Sequence, residues 1–575
     1  GQDCPEGQFG VDTENPRVDY KGLKTTDTVQ WSGIGLLKWE LNKHNRLSAV
    51  GFYTRDADNE SRVLDGYARG TLNEDIGRNT RLRYMMRSIA FTRLGGRHVF
   101  PRGRDFQIDW FGSYAQARLD DPLLREMLFR QNSADGSYVV DRAESGKFQF
   151  FRLRDDTGSG GLDFTVPFKQ WSGIDAKFKF GGWVEGKRRN FDVRYFDYEV
   201  AGGLTPPAGT GNIINRDTIG GGLDAAQGGT QPFFLTEFTR PKDSYNAGQR
   251  VLAGYGLLDL PLARWVRVVG GARFEASDIR VEPYDRFGRA IAAEDRAFVR
   301  DRNVLPSGSL IFSPRQDMNI RLIAAQTVAR PEFRELAPFL FTDFAGGFDV
   351  TGNPRLRTTR ITNADLRWEW FPSANEVIAV SAFYKYFDDP IERVIGSRAT
   401  PLQSYRNAEA ANNIGGEVEL RKNLEFISKR IKDLSVGVNF AYIYSRVVIG
   451  PPLPDDPLPL DPTATRARPM EGQSPYVLNA YLAYDNERSG TNVRLLFNSF
   501  GKRIAFVGSQ RLPNIYELPV HTLDFALLQR LHKGLSLSFS ALNILNWQTR
   551  FRQQDSLTYA VRRGVSFVLG LQYSF

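Results

Sequence analysis

The last eleven residues alternate without a break: Val565, Phe567, Leu569, Leu571, Tyr573 and Phe575 fall on one side, with Ser566, Val568, Gly570, Gln572 and Ser574 between them. Side chains of a strand point alternately to opposite faces, so this segment offers a continuous apolar row on one face and small or polar groups on the other. A strand of that kind needs hydrocarbon on one side and a wet interior on the other, which a closed transmembrane barrel supplies.

Length and polarity agree with that demand. A chain of 575 residues would ordinarily split into several domains, but no linker-like change of composition divides it, and a single large barrel fits the length. Mean hydropathy is -0.38 and 25% of residues are charged. No uninterrupted apolar stretch approaches the roughly 20 residues of a spanning helix, which excludes a helical membrane protein and leaves a barrel, apolar on only half of each strand, untouched. The formal charge of +9 comes from Lys and Arg spread along the whole chain. With no basic helix or stripe between stacking aromatics, nucleic-acid binding is not expected, and attraction to anionic lipid headgroups or lipopolysaccharide, inward ion pairs or an anionic ligand is the better use of the charge. The single cysteine, Cys4, allows neither an intrachain disulfide nor a thiolate metal cluster. No secretory signal precedes it, so a chain bound for an outer membrane is expected to begin after processing or to be part of something longer.

Along the chain, pairs of alternating segments are joined by tight polar turns and separated by longer stretches rich in Gly, Pro and Asp. Thr28 to Leu41 and Arg46 to Thr54 flank Asn42-Lys43-His44-Asn45, and Val251 to Leu262 precedes Trp265 to Arg280. Further pairs surround Pro314-Arg315-Gln316-Asp317, Pro372-Ser373-Ala374-Asn375, Asn486-Glu487-Arg488-Ser489 and His532-Lys533-Gly534. Within them, Leu535, Leu537 and Phe539 alternate with Ser536, Ser538 and Ser540, and Val266, Val268 and Phe274 with Arg267, Val269, Arg273 and Glu275. Arg or Lys facing lipid at mid-bilayer would cost about 2–4 kcal/mol, so the charges are expected on the inner face. The expected fold is all-β: a large antiparallel transmembrane barrel of the 22-stranded type, with roughly nineteen strands in this chain, short turns on one side and long extracellular loops on the other. Residues 28–575 form the barrel and 1–27 a segment on the outer side. Two long loops stand out. The first, Gly202 to Gln231, is Gly-rich and leads through Phe233 and Phe234 toward Tyr245; the second, Pro451 to Pro462, is Pro-rich and carries Asp455, Asp456 and Asp461. Such loops either hold substrate, with Phe233, Phe234 and Tyr245 as candidates, or are plain surface insertions.

From about Val29 onward the chain resembles the barrel of a TonB-dependent outer-membrane receptor. The resemblance rests on Thr327-Val328-Ala329-Arg330-Pro331-Glu332-Phe333-Arg334-Glu335-Leu336, on Gly352-Asn353-Pro354-Arg355-Leu356, and on Asn363-Ala364-Asp365-Leu366-Arg367-Trp368-Glu369. It continues in Phe383-Tyr384-Lys385 with Pro390-Ile391-Glu392, in Gly472-Gln473-Ser474-Pro475-Tyr476, and in Asn543-Ile544-Leu545-Asn546. Each is weak alone, but their order and spacing together are strong. Gly570, Tyr573 and Phe575 resemble the C-terminal signal read by the insertion machinery of outer-membrane barrels, although Val568 stands where a polar residue is usual. The resemblance implies energised import of a bulky, scarce solute such as a siderophore, cobalamin, glycan or peptide. The force would come from the TonB-ExbB-ExbD system acting on a plug domain inside the barrel.

Nothing between Gly1 and Asp27 is long enough to be that plug, and the odd strand count leaves about three early strands to be found elsewhere. A bare strand edge in hydrocarbon leaves backbone groups unpaired at several kcal/mol each, so a second polypeptide or an upstream portion of this one is expected to supply both. The alternative is a non-transporting barrel serving as scaffold or surface-interaction protein. No catalytic chemistry or cofactor is expected: His44, His98, His521 and His532 have no partner at metal-ligand spacing, and Asp56, Asp58 and Glu60 lack the glycine and closing glutamate of a calcium loop.

Overall fold

The computed structural model describes residues 18–68, 77–101, 105–132, 135–141, 146–200, 208–210, 219, 233–342, 348–396, 402–450, 467–509, 512–532 and 534–574. The Pro-rich stretch from 451 and nearly all of the Gly-rich one from 202 lie outside them, as do Cys4 and Phe575. The main sheet has 22 strands, of which Tyr138–Val140, Phe233–Glu237 and Ala467–Arg468 are short additions beside the end of a longer neighbour. The remaining nineteen form a wall from Val18–Asn42 to Ser566–Tyr573, each paired antiparallel with the next in chain order.

The expected tight turns join these strands at one end of the wall. Val18–Asn42 passes into Asn45–Ala68 through a turn in which the Asn42 side-chain oxygen accepts from the backbone N–H of His44 at 2.9 Å. Between Val520–His532 and Leu535–Leu542, Gly534 takes φ +80°, the left-handed region that costs glycine nothing. Strands run further than apolar alternation reaches. The first begins at Val18 rather than Thr28, so residues 18–27, expected to precede the barrel, already belong to its wall, and the second continues to Ala68 rather than Thr54. The reason is physical: beyond the hydrocarbon both faces meet water, and the hydrophobic period vanishes while the hydrogen-bond ladder continues.

The two faces differ chemically as the alternation requires. On the outer one stand Leu252, Val304, Leu322 and Leu366, between 49 and 63% exposed, and Phe567 and Leu569 at 70 and 71%. Rings cross neighbouring strands on this face near the short turns, where Phe106 and Phe164 lie 6.0 Å apart and Phe164 and Phe180 5.0 Å, an interfacial aromatic girdle. Charge pairs occupy the opposite face. Arg367 donates to Glu369 at 2.8 Å and Glu419 at 2.7 Å, and Arg321 donates to Glu369 at 2.9 Å, so three strands and their neighbours are tied by one chain of charge-assisted bonds.

Among the described residues no pairing joins the first strand to the last. Val18–Asn42 is bonded only to Asn45–Ala68 and Ser566–Tyr573 only to Leu535–Leu542. Both run toward the short-turn end, because an odd number of antiparallel strands separates alike directions. A direct pairing of these two edges would therefore be parallel.

Candidate ligand-receiving interior

At the long-loop end, the connection after Met318–Ala329 turns inward instead of lying outside. Arg330 anchors it by donating to Glu275 at 2.5 Å and to the Ser277 hydroxyl at 2.9 Å on the inner wall. A one-turn helix, Phe333–Leu336, follows, closed at its start by a capping box in which the Glu335 carboxylate accepts from the Glu332 N–H at 2.8 Å. Phe333 and Leu336 are buried against inner-wall residues Phe191, Tyr245, Ile279 and Val281. Gly352 is pressed beneath: its N–H donates to the Ala337 carbonyl at 3.0 Å, and a Cβ there would stand 2.3 Å from that oxygen. Asn353 completes the fold of the loop through its side-chain amide, which donates to the Tyr405 carbonyl at 2.9 Å.

Four of the long connections assemble a second sheet of eight short strands, including Ile391–Gly396, Leu402–Asn407, Arg503–Gly508 and Gln548–Gln553. Buried Arg468 and Glu392, paired at 2.6 and 2.8 Å, fix its position beside the wall.

Arg334 is the most telling side chain here. Its guanidinium lies 4.2 Å over the Phe339 ring, Nη2 donates to the Val350 carbonyl at 3.3 Å, and Nη1 is buried with no hydrogen-bond partner. Burial holds its pKa below the ordinary arginine value, with Tyr405, Tyr245 and Tyr195 within electrostatic reach; it remains a cation at neutral pH. Nearby, Arg189 donates to Asp155 at 2.5 and 3.1 Å and sits 5.2 Å from the Phe333 ring centre. A cation with an unused N–H among aromatic rings favours an anionic oxygen as acceptor, which the protein does not itself supply at this position.

The sequence candidates are dispersed. Tyr245 faces this interior, 2% exposed, its ring 5.2 Å from Phe191. Phe233 is instead buried in a separate cluster with Phe129 and Val140, and Phe234, on the opposite side of the same short strand, pairs with Glu199. Gly570 lies opposite Ser538 and Tyr573 opposite Leu535 on the final strand pair. The histidines are spread along the wall: His521 stands 4.6 Å from Trp547, and His98 bonds Asn45 at 2.7 Å. The acidic trio is met by cations, Asp56 by Arg87 at 2.8 Å and Glu60 by Lys24 at 2.7 Å. Arg334, Phe339 and Tyr405 have no periodic signal; only the motif around Arg330 marks their neighbourhood.

A wide antiparallel wall, apolar outside and ion-paired within, crossed by an inward loop at its long end, defines a large outer-membrane receptor barrel. The family described as TonB dependent receptor-like, beta-barrel, matches residues 22–544, and the chain belongs to it. It is thus an integral protein of the outer membrane and a receptor by family. Similar solved structures are the siderophore receptor PiuA from Acinetobacter baumannii, at 12% identity and TM-score 0.58 over 96% of this chain and 80% of that one. The pyoverdine receptor FpvA of Pseudomonas aeruginosa gives 12% and 0.56 over 98 and 79%. The ferric yersiniabactin uptake receptor FyuA of Yersinia pestis gives 13% and 0.52 over 97 and 78%. No significant match is found among curated proteins.

Proposed function

We propose that this receptor imports a bulky anionic chelate of the siderophore class, using work delivered by the TonB-ExbB-ExbD system to a plug seated in the barrel. The observation that carries the reading is Arg334, a partly unsatisfied guanidinium packed on Phe339 in the inward loop, with three tyrosines within electrostatic reach. Such a group matches carboxylate, hydroxamate or catecholate oxygens better than the neutral hydroxyls of a glycan. The plug and the strands needed for closure come from an upstream portion of the chain or a second polypeptide, a reading supported by the two bare edges. Gly570, Tyr573 and Phe575 serve as the insertion signal. The test is titration of the plug-bearing receptor with ferric chelates while its tryptophan fluorescence is followed. Saturable quenching that weakens at least about tenfold in Arg334→Ala is expected from loss of a charged contact. Quenching by cobalamin or an oligosaccharide alone would overturn the substrate class.

A further inference from the structure

At the long-loop end, the second sheet stops at a strand with a single neighbour. Ser556–Arg562 is paired with Gln548–Gln553, and among the described residues no strand pairs with its other side. Arg563, Gly564 and Val565 set it apart from the last wall strand, so this edge belongs to the second sheet and not to the wall. Alternate residues of the strand therefore turn N–H and C=O groups away from the sheet. Leu557 and Tyr559 are each 55% exposed. The residues themselves favour pairing, with Leu, Thr, Tyr, Ala and Val in succession from 557 to 561 and no proline.

The same hairpin is cationic on one side. Arg550 lies opposite Ala560, Arg552 opposite Leu557 and Arg562 opposite Gln548, a register that puts the three arginines on one face. Tyr516, in register with Arg552 on the neighbouring strand Ile515–Glu517, extends that face, and the Lys502 ammonium stands 4.1 Å over its ring. Among the described residues no carboxylate is paired with Arg550, Arg552, Arg562 or Lys502. Glu517, on the opposite face, is taken by Arg503 at 2.7 Å, and Asp555 sits in the turn between the two strands. Ala560 offers only a methyl group between Arg550 and the free edge, so a long side chain added beyond that edge would stand within reach of Arg550 as well as Arg562.

Bare edge and cationic face together select the occupant. A second copy of this strand would set arginine against arginine, and like charges facing each other across a ladder are destabilising. An anionic polysaccharide would answer the charge but leave the backbone groups unused. A strand with carboxylates at every second residue meets both demands, because its backbone completes the ladder while its acidic side chains fall on the arginine face. We infer that Ser556–Arg562 takes an extended acidic segment of another protein as an added strand at the cell surface. This is independent of the nature of the imported solute.

The probe is a short fluorescent peptide alternating Glu with Val or Thr, titrated into the complete receptor in lipid nanodiscs beside a peptide with Lys in place of each Glu. The acidic peptide should bind saturably, weaken as salt rises, and slow hydrogen exchange at alternate amides of Ser556–Arg562. Exposed ion pairs are each worth a factor of about two to five, so Arg550→Gln with Arg562→Gln should weaken binding roughly tenfold. Two further peptides, N-methylated at the odd or at the even residues, keep every carboxylate. One of them, unable to complete the ladder, should bind at least about tenfold more weakly. Undiminished binding of both methylated peptides would mean attraction by charge alone and would overturn the inference. So would equal binding of the lysine peptide, or slow exchange along Ser556–Arg562 before any peptide is added, since the receptor itself would then cover the edge.

Discussion

Arg330 and Glu275 meet at 2.5 Å on the inner wall although 55 positions separate them. Glu275 also accepts from Arg273 at 2.6 Å, so one carboxylate holds both its own strand neighbour and the first residue of the inward loop. The pair fixes where the loop leaves the wall and enters the interior.

Arg330→Ala should therefore loosen the loop and leave Glu275, only 8% exposed, with half its partners. Since Arg273 remains, the expected loss is about 2 kcal/mol, below the 3–5 kcal/mol of a fully orphaned buried charge. Urea-driven unfolding in lipid vesicles would measure it, and a double substitution with Glu275→Gln should recover part of the loss.

Gly352→Ala should act on the same loop by crowding. The new methyl group would meet the Ala337 carbonyl at 2.3 Å, a contact that forces backbone to move. Faster tryptic cleavage at Arg334 and Arg355 is expected, with strand content unchanged by infrared spectroscopy.

Facing can be tested residue against residue. Leu366→Arg, on the outer face, should cost about 2–4 kcal/mol if it lies near the bilayer midplane, whereas Ser307→Arg, on the inner face, should stay within roughly 0.5 kcal/mol. Comparable penalties at both sites would contradict the assignment of the two faces.

Hydrogen exchange reports on the bare edges. In a chain limited to these residues, amides of Val18–Asn42 that point away from Asn45–Ala68 should exchange rapidly. In the complete receptor they should be protected through pairing with a further strand. Fast exchange in both would mean that the edge stays open.

The fold class and the two chemically distinct faces of the wall were legible because lipid imposes a two-residue period that water does not. Leu535, Leu537, Phe567 and Leu569 share the outer face, as their alternation required, and the turns at Asn42–Asn45, Pro314–Asp317, Pro372–Asn375 and Asn486–Ser489 join successive wall strands where Pro, Gly, Asn or Asp cluster; Arg264-Trp265 makes its turn without any of them. The outward extension of strands such as Val18–Asn42 carried no such period, since both faces there are polar. The interior was harder still. Phe233 and Tyr245 look alike as aromatic residues after a loop, yet one packs beside Phe129 and the other beside Phe191. What separates them is strand register, which depends on partners far along the chain. Arg334 escaped for the same reason: whether a loop turns inward is decided by contacts such as Arg330 with Glu275, not by local pattern.

The shared direction of the two terminal wall strands limits how copies could meet. Two receptors inserted with the same orientation would present edges that descend together, whichever ends were brought side by side. Contact between them could form only the parallel ladder, slightly weaker per residue, so the two edges of this wall are biased against sealing with those of a twin.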